Sequence, residues 1–395
     1  MKTLIVGGGI AGTTCAEELR KLLPEAEITI ISEEETPLYS RVLLPHYLKG
    51  KVPRERVFLK TQTWYEEQNI SVVEARAEKI DLKNNFVATS DARELPFDKL
   101  VIASGRYTRD IPEYERGVAY LWTLGDADHL LQLISEQSRP SKVGVYGGGL
   151  IACEFLNIFK NYNFDITVAF RGPYFWSRVL DEESGRLINQ HLEKQGIKVL
   201  PEAKFVGLNV GTNGLPIRSS AKVGRLPELE NFQTDKGEIP CKILGVGIGL
   251  EPDLSWLADS GIKTEKGIMV NEKLETNLPN VYAIGDTAEV YDIFSGHHRV
   301  MGTWTAAQTQ GRIAAKNIAG ENKVFDQIIT STMSLLGLDV IFIGDNDRNW
   351  ADEIKIEGSV AEGGVVQIFY KNGKVIGATL VNRNEDRKRL LGLFQ

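Results

Sequence analysis

Leu4-Ile5-Val6-Gly7-Gly8-Gly9-Ile10-Ala11-Gly12 decides the fold of this chain. An apolar, β-branched run enters three glycines, and helix-forming residues leave them over 15–23. Ile28-Thr29-Ile30-Ile31 then reads as a second strand. The pattern returns 140 residues later as Gly144-Val145-Tyr146-Gly147-Gly148-Gly149-Leu150-Ile151-Ala152, with helix-forming residues over 153–162 and a strand at Ile166-Thr167-Val168-Ala169. Strand, tight glycine turn, helix and strand thus occur twice.

The physics of this unit is specific. Its first glycine (Gly7, Gly147) permits the turn, and the second (Gly9, Gly149) lets backbone approach a pyrophosphate. The third position (Gly12, Ala152) allows close packing of helix on strand. Phosphate then rests on free N–H groups at the positive end of the helix, opened by Ile10 and Ala11 in the first copy and by Ile151 in the second. One such fingerprint is a weak signal, because glycine turns also precede helices that bind nothing. Two copies in the same strand–helix–strand context point to two dinucleotide sites.

The tip of the second strand separates the sites. In the first unit it reads Ser32-Glu33-Glu34-Glu35, placing an acid where a ribose diol is held. Glu33 is the first candidate and Glu34 the second, with a solvated acidic turn as the alternative. In the second unit the tip reads Phe170-Arg171-Gly172-Pro173 and lacks a carboxylate. Arg171 suits a 2′-phosphate and so slightly favours NADPH over NADH; a surface arginine stacked on adenine is the other reading.

The chain around these units is that of a soluble globular protein. It has 395 residues, 42% of them hydrophobic and 25% charged, which suggests roughly two to three domains. A net charge of −7 argues against nucleic acid as a main partner, since phosphate binding needs a basic face. No secretory signal or membrane span is recognised in the sequence. Three widely spaced cysteines, Cys15, Cys153 and Cys241, do not form a secreted disulfide framework, so a cytoplasmic location is expected.

Beyond the repeat, strands are expected near 70–75 and 85–89. The apolar run Lys99-Leu100-Val101-Ile102 ends in the small residues Ala103-Ser104-Gly105, which let backbone lie against a ligand or another segment. Residues 106–119 read as a linker. Residues 181–195 form an amphipathic helix with Leu187, Ile188 and Leu192 on one face. The stretch 207–225 is rich in glycine and polar residues and reads as a hairpin or an insertion. Later come Gly245-Val246-Gly247, Ala283-Ile284-Gly285-Asp286 and a small-residue helix opening between Met301 and Gly311. The tail shows strand-like runs at 340–343, 365–370 and 375–380 and a charged final helix.

This ordered set of motifs resembles the pyridine-nucleotide–disulfide oxidoreductase superfamily over nearly the whole chain. Tyr39-Ser40-Arg41-Val42-Leu43-Leu44-Pro45 and the stretch from Ser331 to Val340 are most similar to NAD(P)H:rubredoxin oxidoreductases and to the flavin module of the nitrite reductase large subunit. The resemblance implies an α/β fold with two Rossmann-like (doubly wound, three-layer) domains, one nested in the other, plus a small C-terminal α+β domain. An FAD domain would occupy 1–112 and 246–322, an NAD(P)H domain 113–245, and the C-terminal domain 323–395. It also implies roles for single residues. Asp286 would bind the ribityl–pyrophosphate region of the flavin, Arg41 would lie against that cofactor, and Ala77, Ala103, Ser104, Gly105, Gly247 and Gly285 would border the nucleotides. Glu154 would meet the nicotinamide side. The helix carrying Trp304, Thr305 and Ala306 would aim its N-terminal dipole at the flavin ring, with Trp304 beside the chemistry. His46 stands where relatives often carry lysine, and as a histidine it supplies charge only when protonated; a loop residue without a role is the alternative.

No C-x-x-C or C-x-x-x-x-C occurs, and 39–48 has no cysteine. The expected chemistry is hydride transfer from NAD(P)H to FAD, followed by electron delivery to an external carrier such as rubredoxin. The basic stretch Lys49, Lys51, Arg54, Arg56 and Lys60 would steer an acidic carrier. Alternatives are a flavin NAD(P)H oxidase, the electron-input module of a nitrite-reductase-type system, and a redox-sensing flavoprotein that acts through protein contacts. A homodimer is compatible with all of these.

Overall fold

Parallel strands buried on both faces need continuous apolar runs, and Leu4-Ile5-Val6 and Leu100-Val101-Ile102 supply them, each residue at most 5% exposed. They form the middle of a five-stranded sheet in the order Val281–Ala283, Lys99–Ile102, Lys2–Val6, Glu27–Ser32 and Ile70–Glu74. Every neighbouring pair in it is parallel. The second fingerprint builds a matching sheet in the order Lys198–Leu200, Asp165–Ala169, Lys142–Tyr146, Ile243–Val246 and Val118–Ala119, again parallel throughout. The internal repeat of the sequence is therefore a repeat of architecture. It extends further: each parallel sheet is accompanied by a three-stranded antiparallel sheet, Ala77–Asp81 with Phe86–Thr89 and Glu94–Pro96 in the first case, and Phe205–Gly211 with Glu228–Thr234 and Gly237–Pro240 in the second.

The computed structural model describes residues 1–111, 116–211 and 228–394. Residues 207–211 of the ambiguous stretch lie in the strand Phe205–Gly211, and the remainder up to 225 falls outside the described residues, as does the middle of the 106–119 linker. The chain divides into two compact units, each assembled from separated segments. One contains Met1–Leu43, Pro53–Tyr107 and Glu251–Ile329 with the first fingerprint; the other contains Leu44–Val52, Thr108–Leu250 and Thr330–Gln395 with the second. The tail, expected from the resemblance as a separate module, groups with the second unit, as does the short segment 44–52.

In the first unit the fingerprint helix Ile10–Leu22 packs along the helix Trp304–Ile318. Close approach is possible because Gly311 has no side chain: a Cβ there would lie 2.5 Å from the Ala11 carbonyl oxygen and 3.1 Å from Cys15 N. The small residues of 301–311 thus serve helix packing. In the second unit the amphipathic helix is Glu182–Lys194, with Asp181 as N-cap accepting from Ser184 N at 2.8 Å. The tail forms a five-stranded antiparallel sheet in the order Thr330–Leu335, Leu338–Gly344, Lys374–Val381, Gly364–Lys371 and Glu353–Ser359, followed by the short helix Arg387–Leu391. None of the described helices is long and apolar enough to cross a membrane.

Candidate functional site

Both glycine turns are built for close backbone contact. Gly7 has φ +117°, and a Cβ on it would lie 2.1 Å from the Ala103 oxygen. The small residues after Lys99–Ile102 are explained by this approach, since the Ala103 amide also donates to Val6 O at 2.7 Å. In the second unit Gly147 has φ +137° and the same relation to Gly247 O, at 2.1 Å. Gly247 thus plays the part of Ala103. The helices that follow, Ile10–Leu22 and Leu150–Asn161, start at Gly9 and Gly149 with no side-chain cap and no acidic residue in the first turn. Their N-terminal N–H groups stay available for an anion. A Cβ on Gly9 would meet nothing within 4 Å. Each turn is therefore a cradle whose open side a dinucleotide pyrophosphate fits.

Around the first cradle, Glu33 and Glu34 have different surroundings. Glu33 is exposed, accepts from Tyr107 Oη at 2.6 Å and lies 3.7 Å from Arg76 Nη1. Glu34 accepts from Arg41 Nη2 at 2.6 Å and from Tyr39 Oη at 2.5 Å. Together with Ser32 and Gly8 it lines a small pocket at the strand end. Ala77 opens its strand as a buried core residue. Ser104 Oγ donates to Thr287 Oγ1 at 3.3 Å, and Gly285 N donates to the buried Gln310 Oε1 at 2.7 Å. Asp286 is largely buried; desolvation raises its pKa, against the pull of Arg106 and Arg41. Arg106 fixes this corner by donating from Nε to Asp286 O at 2.8 Å and from Nη2 to Lys266 O at 2.7 Å. Thr303 caps the helix Trp304–Ile318 by accepting from Ala306 N, leaving Thr305 exposed and Trp304 half-buried on its first turn. Trp304, Asp286 and the first cradle thus belong to one unit.

Around the second cradle the carboxylate of Glu154, on the first turns of Leu150–Asn161, is 20% exposed, and its Oε2 is buried without a hydrogen-bond partner. Burial raises its pKa, opposed by Lys49 and Asn157. Lys49 Nζ lies 4.0 Å from that oxygen and is itself 14% exposed. His46, one helical turn earlier, is exposed. Partial desolvation and then the charges of Lys49 and Lys51 lower its pKa, so it is neutral at neutral pH. Lys49 carries a positive charge next to Glu154. The signal was present in the sequence as a lysine three residues on, but its pairing with Glu154 depends on tertiary structure. Ile151 is half-buried beside the turn, and Arg171 is exposed, with no protein partner among the described residues.

Of the basic stretch, Lys60 also turns inward: it pairs with Glu17 at 3.1 Å and stacks 3.7 Å from the Trp64 ring centroid. Lys51, Arg54 and Arg56 remain exposed. All three cysteines are free and buried. Burial raises each thiol pKa, that of Cys241 to about 12, and a thiol held protonated is a poor nucleophile.

Two nucleotide cradles on a repeated, doubly wound parallel sheet define a class of dinucleotide-dependent oxidoreductases. The family described as pyridine nucleotide-disulphide oxidoreductase matches residues 1–311, and the chain belongs to it. Among similar proteins, a nitrite reductase [NAD(P)H] of Bacillus subtilis is 28% identical over 99% of this chain and 47% of its own length; the chain spans about half of that relative. An NADH-rubredoxin oxidoreductase of Clostridium acetobutylicum is 27% identical over 96% of this chain and 90% of its own. Among solved structures, putidaredoxin reductase in covalent complex with putidaredoxin has a TM-score of 0.88 at 22% identity, over 100% of this chain and 92% of that one; it establishes the likeness of fold.

Proposed function

We propose that the chain is an FAD-dependent NAD(P)H oxidoreductase that passes electrons to a small carrier protein of the rubredoxin or ferredoxin kind. The observation that carries this reading is the pair of uncapped glycine cradles in a chain whose only thiols are buried. Bound FAD would take a hydride from the nicotinamide and release electrons singly; the protein's part is to bind, orient and set charge. We assign FAD to the first cradle, where Gly7, Gly9, Ile10, Ala11 and Gly12 present backbone to its pyrophosphate. Glu34 rather than Glu33 is assigned to the ribose, because it lines the pocket beside Gly8. Asp286, held by Arg106, faces the flavin's polar chain, and Arg41 lies against the cofactor. The start of the helix at Trp304, Thr305 and Ala306, capped by Thr303, turns its positive end to the ring.

NAD(P)H is assigned to the second cradle, with Gly147, Gly149, Ile151 and Gly247 at the phosphates. Glu154 stands on its first helical turns with a buried oxygen that can hold a proton. An exposed Arg171, without a protein partner among the described residues and at a strand tip lacking a carboxylate, supports a preference for NADPH. The homologous rubredoxin reductase supports a small carrier as acceptor, and the exposed Lys51, Arg54 and Arg56 suit an acidic one.

Stopped-flow mixing tests this directly. The purified yellow protein should bleach with NADPH and, more weakly, with NADH, and the reduced protein should then reduce rubredoxin faster than it reduces oxygen. Carrier reduction no faster than the oxygen background sinks the carrier assignment; a colourless protein that takes up no FAD sinks the whole reading. Arg171→Ala should raise KM for NADPH about tenfold and leave that for NADH near wild type. Equal effects on both remove the 2′-phosphate role.

A further inference from the structure

The loop between the strand Asp165–Ala169 and the helix Glu182–Lys194 does more than carry Arg171. It turns back onto the second glycine turn, where Trp176 N donates to Gly148 O at 3.0 Å. The amides of Val179 and Leu180 both return to Trp176 O, at 2.8 and 2.9 Å, and close the loop around this residue. Trp176 has φ +56°, a backbone conformation that large L side chains rarely adopt. Packing holds it there. The indole is 7% exposed and stands edge-on to Phe175 (5.4 Å, 85°) and to Phe342 of the tail sheet (5.6 Å, 82°).

The indole nitrogen is aimed at the cradle. Trp176 Nε1 lies 3.9 Å from the position a Cβ on Gly149 would take. Apart from that glycine's chain neighbours and its own helix backbone, no other heavy atom comes within 4 Å of that point. This is the direction that the second fingerprint glycine leaves open for a pyrophosphate. Among the described residues no protein group accepts from Nε1–H. The ring is largely buried while its N–H has no protein acceptor, so an incoming oxygen would supply one. The first cradle has no counterpart, since nothing approaches the corresponding point at Gly9.

We propose that Trp176 Nε1–H is a pyrophosphate donor of the second cradle, adding one side-chain hydrogen bond to the backbone N–H groups of the helix Leu150–Asn161. The proposal rests on the assignment of NAD(P)H to that cradle. Unlike Arg171, this donor acts on phosphates common to NADH and NADPH, so it strengthens binding of both without choosing between them.

The test uses the FAD-loaded protein and Trp176→Phe, which keeps an aromatic ring against Phe175 and Phe342 and removes the N–H. FAD content and circular dichroism report that the variant is folded. The dissociation constant of ADP-ribose, which has the pyrophosphate, should rise about tenfold, with matching rises in KM for NADH and NADPH. Binding of nicotinamide mononucleotide, which has a single phosphate, should not change. In the ¹⁵N-tryptophan-labelled wild type, one of the six indole signals should move downfield on adding ADP-ribose and none on adding adenosine. An unchanged ADP-ribose affinity in folded Trp176→Phe overturns the proposal. If the variant does not fold, six unmoved indole signals at saturating ADP-ribose overturn it instead. Failure of both NADH and ADP-ribose to bind the wild type would sink the dinucleotide assignment itself.

Discussion

At the scale of single residues, the two cradles differ from their surroundings in what they leave empty. Gly9 and Gly149 both have ordinary negative φ values, of −70° and −130°. A methyl group at Gly9 would touch nothing, and one at Gly149 would meet only the Trp176 indole at 3.9 Å. Alanine at either position therefore fits the folded protein and intrudes only on a bound phosphate. This separates binding from folding. Gly9→Ala should lower FAD affinity tenfold or more, on the order of 1–3 kcal/mol for a displaced charge-assisted contact, so that the protein purifies pale but folded. Gly149→Ala should keep its flavin and lose affinity for NADH and NADPH by a similar factor. Flavin absorbance per chain and the KM for each nucleotide measure the two effects; a pale Gly149→Ala or a fully yellow Gly9→Ala reverses the assignment of the cradles. Both glycines were legible in the sequence because the fingerprint is local. Trp176 was not: its importance arises from a left-handed turn that sets the ring beside a glycine 27 positions earlier.

Among elements, the short helix Leu44–Leu48 and the fingerprint helix Leu150–Asn161 meet through several side chains. Tyr162 Oη donates to Leu48 O at 2.8 Å, and Lys49 reaches the buried oxygen of Glu154. The carboxyl of Glu154 holds its proton to higher pH in the folded protein than in the unfolded chain, because burial outweighs Lys49. Between those two pKa values the folded state binds more protons, so stability falls as pH rises through that interval. Glu154→Gln abolishes this titration. Its melting temperature should therefore gain on the wild type as pH rises above the ordinary glutamate range; parallel curves would falsify the account of a carboxyl destabilised by burial. The strands and helices themselves were readable, since apolar runs and periodicity are local properties: the helices expected at 15–23, 153–162 and 181–195 are present as Ile10–Leu22, Leu150–Asn161 and Glu182–Lys194. The pairing of Lys49 with Glu154, and of Gly285 with Gln310, joins elements far apart in sequence and could not be read from either alone. The grouping of the tail with the second unit is of the same kind. It depends on contacts such as Asn157, whose side chain donates to Ser334 O and accepts from Leu336 N.

For the whole molecule, the question is how electrons leave. The three thiols are buried and held protonated, so sulfur offers no relay, and on the proposed function an external carrier comes to the protein. A net charge of −7 repels an acidic carrier at long range, and only a local cluster of cations can offset this. The five basic residues between 49 and 60 are fewer than they look, because Lys49 and Lys60 are committed to Glu154 and Glu17. On the proposed function the steering charge falls to the exposed Lys51, Arg54 and Arg56, of which Arg54 also lies 5.8 Å from the Phe58 ring centroid. Screening lengths shrink from about 30 Å at 0.01 M salt to about 8 Å at 0.15 M. The expected outcome is that kcat/KM for an acidic redoxin falls steeply over that range. Replacing Lys51, Arg54 and Arg56 together by glutamine should reduce the low-salt value about tenfold and flatten its salt dependence, because the variant has lost the local attraction and not the long-range repulsion. Reduction of the bound flavin by NADPH, which does not involve the carrier, should change little in the same variant. A triple variant that keeps both the wild-type rate and the wild-type salt slope would place carrier docking on another face, since three neutralised charges at the docking surface cannot leave a steered association untouched.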